Sequence, residues 1–208
     1  MDASKTIPLL IIAVMLIPCA SMAQVAVSNG VPVMIAADAE MDNDFAVNVT
    51  DVDFGTIAVT ARSGQTGELI MSANGALDDV TGNSDPVARI ISNGAGNTPG
   101  ELEISGGLAN QQVTIRYSNV VDMTCVSGCS GSPPDLIVSR IVDNAADQAA
   151  LWSVDDADPD GDATPGLVTT NGAGEATVNI GVSIRTENTD TPYQSGNYVG
   201  SFNVTLEY

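Results

Sequence analysis

Apolar and polar residues alternate with a period of two along much of the chain. The clearest case is residues 196–208, GNYVGSFNVTLEY. Tyr198, Gly200, Phe202, Val204, Leu206 and Tyr208 share one parity; Asn197, Val199, Ser201, Asn203, Thr205 and Glu207 share the other. Successive strand side chains point to opposite faces, so this pattern predicts a long strand with one buried face and one mostly wet face. Its aromatic and β-branched residues suit a pleated, half-buried surface. Residues 176–185, ATVNIGVSIR, set Val178, Ile180, Val182 and Ile184 inward in the same way. Near the other end, residues 24–37, QVAVSNGVPVMIAA, put Val25, Val27, Val31, Val33 and Ile35 on one parity, with Asn29 among them. Pro32 falls on the other parity and cannot donate to a ladder, which predicts an edge position.

Shorter β-rich runs fill the middle: 45–50, 52–60, 67–72, 87–92, 101–105, 112–117, 136–142 and 167–170. Three of them run into Asn-Gly, at Asn74-Gly75, Asn93-Gly94 and Asn171-Gly172. Asn-Gly is favoured where both turn residues take positive φ, as in tight hairpins. Residues 144–151, with their Ala and Gln, predict one short helix. Nothing longer has helical periodicity. Many short strands at this spacing argue for an antiparallel sandwich or barrel.

The first residues read as a leader and not as part of the fold. Lys5 precedes an apolar run over residues 7–17, and Ser21-Met22-Ala23 follows as a small-residue cleavage site. The run is shorter than the roughly 20 residues a bilayer span needs. Cleavage after Ala23 would start the mature chain at Gln24, with no span left in it. That chain would be exported, to the cell surface, the medium or the periplasm. Its only cations would be Arg62, Arg89, Arg116, Arg140 and Arg185, against a net charge of −20 for the whole sequence. Such a field repels nucleic acid and anionic membranes and attracts cations.

Cys125 and Cys129 are the two cysteines left after the leader. In an exported chain an even pair reads as a disulfide, here one that pins a local turn. The densest acidic stretch is 155–162. Asp156, Asp158, Asp160 and Asp162, with Gly161, match the first half of a calcium loop, oxygen ligands on alternate residues. The position where a bidentate Glu belongs is Leu167, so a plain solvated acidic loop is the competing reading. Calcium is the one cofactor the sequence suggests. Without His or Lys after the leader, the commonest general base and the Schiff-base residue are missing, and no catalytic residue stands out.

Three features together carry a family resemblance. They are Val52-Asp53-Phe54-Gly55-Thr56-Ile57; Gly100-Glu101-Leu102-Glu103-Ile104-Ser105-Gly106-Gly107 before a Val-Thr-Ile run; and Gly196-x-Tyr198-x-Gly200-x-Phe202-x-Val204-Thr205-x-x-Tyr208. The chain resembles a bacterial exported family, domain of unknown function 4402. Its pattern is also similar to the spore-coat-U and archaic chaperone–usher pilin subunits. The resemblance implies an immunoglobulin-like antiparallel β-sandwich with an N-terminal strand extension, and a subunit of a surface fibre. Residues 1–23 are then the signal peptide, 24–44 the extension and 45–208 a single sandwich domain. In such pilins a neighbour's extension supplies a missing strand. Val25, Val27, Val31, Val33 and Ile35 match that donor pattern, which implies homo-oligomers or fibre partner subunits. The alternative is that 24–37 pairs within its own domain. A calcium-dependent adhesion module is the second functional reading, and a periplasmic enzyme a distant third.

Overall fold

The computed structural model describes residues 26–29, 32–38, 46–80, 88–144, 150–153 and 165–208. Among them there is no helix. The strands are β1 (Ala26–Asn29), β2 (Pro32–Asp38), β3 (Ala46–Thr50), β4 (Val52–Asp53), β5 (Thr56–Thr60), β6 (Glu68–Met71), β7 (Leu77–Val80) and β8 (Arg89–Ser92). They continue as β9 (Gly100–Ser105), β10 (Gln112–Ser127), β11 (Leu136–Asp143), β12 (Ala150–Ser153), β13 (Gly166–Thr169), β14 (Ala176–Thr186) and β15 (Asn197–Glu207).

The architecture is an all-β, sandwich-like packing of antiparallel sheets. One layer runs β13-β10-β15-β2-β4 and the other β3-β9-β14-β11-β12. The two join where Met123 of β10 pairs with Leu136 of β11. Val113, Ile115, Tyr117, Phe202, Val204 and Leu206 come inward from the first layer. Leu102, Ile104, Val138, Ile141, Val178, Ile180, Val182 and Ile184 meet them from the second, all essentially inaccessible. Each such side chain contributes roughly 1.5–3 kcal/mol relative to exposure. The Tyr117 and Phe202 rings pack tilted, with centroids 5.9 Å apart.

The parity read from the last strand holds. Tyr198, Gly200, Phe202, Val204 and Leu206 are buried, while the intervening residues are half-exposed. Tyr208 departs from it: it lies just past the end of β15 and is exposed, and its hydroxyl accepts the Leu108 N–H. On β14 the inward residues are as expected, but burial is continuous from Ile180 to Ile184. The cause is a change of partner. β14 pairs with β9 up to Ile180 and with β6 from Ser183. At the handover the backbone of residues 71–73 closes over Gly181, where a Cβ would clash.

Two expectations are corrected. Ala150 and Leu151 belong to β12, antiparallel to β11, so the tail of the predicted 144–151 helix is strand; residues 145–149 lie outside the described residues. The Asn-Gly pairs are not turns with two positive φ angles. Gly75 and Gly94 have positive φ, but Asn74, Asn93 and Asn171 do not, and in the third turn the positive φ falls on Gly174. Each Asn acts through its side chain: Oδ1 accepts the N–H two residues on, from Ala76, Ala95 and Ala173. These are Asx turns, in which the amide side chain mimics a backbone turn. Only Asn74-Gly75 closes a hairpin between paired strands, β6 and β7.

Candidate assembly site at the N-terminal strand

β1 and β2 share one register against the chain that follows. Ala26 stands opposite Val59, Asn29 opposite Thr56, Pro32 opposite Asp53 and Val33 opposite Val52. Every step forward on one side is one step back on the other. Residues 26–29 and 32–33 therefore keep one antiparallel register against 56–59 and 52–53, with an interruption at 54–55. The interruption has a local cause on the second side. Gly55 takes a φ of 66°, its N–H is held by Asp53 Oδ1 at 2.8 Å, and the Ala95 carbonyl packs where a Cβ would be.

From Val33 onward the segment turns to a different partner. Val33 to Asp38 run parallel to Gly200 to Thr205 of β15: Val33 beside Gly200, Met34 beside Ser201, Ile35 beside Phe202, Ala37 beside Val204. This is the one parallel pairing among the described strands. Met34 is 52% exposed. The segment thus spans two edges, that of β4–β5 and that of β15. Pro32 is the first residue of β2, a position where a missing N–H is tolerated. Its register partner is Asp53 of β4, and pairing with β15 begins at the next residue, Val33. Of the sequence-predicted assembly residues, Val27, Val33 and Ile35 are placed by backbone pairing, Val27 opposite Ala58. Val25 and Val31 lie outside the described residues.

The far edge of β15 is held differently. β10 pairs with it from Thr114–Glu207 to Ser127–Asn197, antiparallel, with register shifts on the way. Asn119 of β10, at φ 49°, sits at the first shift. Arg116 and Glu207 form an ion pair across the two strands at 3.4 Å, too exposed to add much. At the start of β15 the two cysteines meet as expected: Cys125 and Cys129 are bonded, their Cα atoms 6.4 Å apart. Gly196 lies against both sulfurs, where any side chain would collide. Asn197 Nδ2 donates to Ser127 Oγ at 2.9 Å, and Gln194 Oε1 accepts the Ser130 N–H at 2.7 Å. The staple fixes where β15 begins.

Two polar features were not read from the sequence. Tyr117, from one layer, donates its hydroxyl to Asp143 Oδ2 of the other at 2.8 Å, both residues buried. Burial pushes the Tyr117 hydroxyl pKa well up, and the Asp143 charge adds to it. At one end of the sandwich Asp122, Asp135 and Glu187 interact. Burial raises the pKa of Asp122 and of Asp135, and Glu187 raises both further, while the Val138 N–H and Arg185 pull Asp122 back. Tyr193 ties this corner: its hydroxyl donates to the Asp135 carbonyl and accepts the Glu187 N–H. A buried Asp at the end of an apolar run, as in LIVSRIVD, is the only trace of the first feature in the sequence. The second is formed by residues far apart in the chain.

Among the described residues no three His, Cys, Asp or Glu side chains are grouped to hold a metal. Asp156, Asp158, Asp160 and Asp162 lie outside the described residues. No described helix is long and apolar enough to cross a membrane. The sequence matches no protein-family model and no curated relative.

Proposed function

We propose that the protein is an exported structural subunit of a surface fibre that assembles by β-strand addition, with residues 24–38 as the strand that passes between subunits. The observation that carries the reading is the position of β2, parallel to the last strand and in register with Gly200–Thr205. Main-chain hydrogen bonds along such an edge give affinity, and alternate side chains give specificity. The resemblance of the 52–57 and 196–208 motifs to pilin-like subunits points the same way. An acidic, disulfide-stapled sandwich suits an oxidising exterior.

The register supplies a direct test. Met34 and Ser201 are opposite each other, so Met34→Cys with Ser201→Cys puts two thiols across the joint. Assembled material, oxidised and run on a non-reducing gel, should give a ladder of interchain cross-links. Cross-links confined to single chains in material that is still polymeric would reject strand addition by this segment.

A further inference from the structure

We infer that the lone chain caps itself: its own β1 and β2 occupy the strand slot between β4–β5 and β15, and they must leave before another strand can enter. This rests on the strand-addition reading and adds to it a built-in brake. Three observations carry it. The described residues 26–29 and 32–33 keep one register against 56–59 and 52–53. The segment then satisfies the edge of β15 from Gly200 to Thr205. Finally, β3, the next strand in the chain, lies in the other layer and pairs with β9, so the chain that follows the segment is held by a partner of its own.

A strand tied to its own slot competes at an effective concentration on the order of millimolar. Subunits at lower concentration therefore stay closed, with the β15 edge covered against aggregation. Entry of a second strand becomes a two-step process, and its first step, release, involves one molecule only. Its rate is set by a local opening and not by encounter. The occupant is defined by the register: an extended peptide with the apolar parity of residues 24–38, whose first half runs antiparallel to 52–59 and whose second half runs parallel to β15.

The experiment uses the monomeric full chain and a fluorescent synthetic peptide copying residues 24–38, with uptake followed by anisotropy. The uptake rate should level off as peptide concentration rises, because release limits it. In the Met34→Cys, Ser201→Cys chain, oxidation should abolish uptake and reduction restore it, with wild type under the same reductant as the control for Cys125–Cys129. A rate that climbs linearly with peptide, uptake by the oxidised chain at the wild-type rate, or no uptake by wild type would each overturn self-capping. Uptake that levels off in a chain that never forms polymers would uphold self-capping and sink the fibre reading alone.

Discussion

The two edges of β15 invite comparison. Toward β10 the strand has a long antiparallel partner, begins beside a disulfide and packs Phe202 on Tyr117. Toward β2 it has a parallel partner of seven residues from a separate N-terminal segment. Antiparallel pairing is slightly the more stable per residue, and a staple restricts the unfolded chain as well. Under the strand-addition proposal the same strand is fixed on one side and exchangeable on the other. On that proposal the difference separates what holds the fold from what would carry assembly.

The largest break of the fixed side is Phe202→Ala. It empties a fully buried aromatic site, and about 3–5 kcal/mol of stability should be lost in denaturant melts. Its counterpart on the exchangeable side is Ile35→Pro, at the register position opposite Phe202. Proline removes a ladder donor. Assembly should fail while circular dichroism and the melting midpoint of the body stay close to wild type. A collapse of the whole fold would make β2 an ordinary structural strand.

Next in size is the staple. Replacing Cys125 and Cys129 together by Ser should cost roughly 2 kcal/mol by the loop-length relation, since the closed loop is small. Gly196→Val should do at least as much harm, because its side chain meets both sulfurs. Peptide uptake on the β2 side should survive either change if the two edges are independent.

The acidic corner gives a smaller, pH-dependent effect. The folded pKa values of Asp122 and Asp135 lie above their unfolded ones, so the folded state binds protons more readily. Their contribution is most favourable at low pH and is lost as pH rises from the ordinary carboxylate range through the raised values. Asp122→Asn with Asp135→Asn should therefore raise the melting temperature at neutral pH, and the gain should vanish in acid. Smallest is calcium. If residues 156–162 bind it, millimolar calcium should raise the melting temperature by linkage, and Asp158→Asn with Asp160→Asn should remove the rise.

Much of the fold was legible where a single period governs a strand. β15 and β14 show their inward residues directly, and the cysteine pair follows from there being two cysteines after the expected leader. Legibility failed where a strand changes partner or slips. β10 was read only as far as residue 117, because the left-handed Asn119 and the register shifts beyond it break the alternation. The role of the Asn in Asn-Gly was misread, since composition does not separate positive φ from an Asx turn. The N-terminal segment was recognised as a strand from Val25, Val27, Val31, Val33 and Ile35. Its division between two edges, antiparallel to one and parallel to the other, depends on partners far along the chain. The Tyr117–Asp143 bridge leaves only the Asp that ends LIVSRIVD as a trace in the sequence, for the same reason: 26 residues and a layer change separate its ends.

Amide hydrogen exchange along β15 tests the central claim most directly. Successive strand N–H groups point to opposite edges, so from Gly200 to Thr205 one set is held by β10 and the alternate set by β2. Local opening exposes amides at a lower free energy than global unfolding. Protection should alternate residue by residue, the β10-facing amides exchanging only through global unfolding and the β2-facing amides through a cheaper opening. Equal protection at the global limit on both sets would contradict an exchangeable edge.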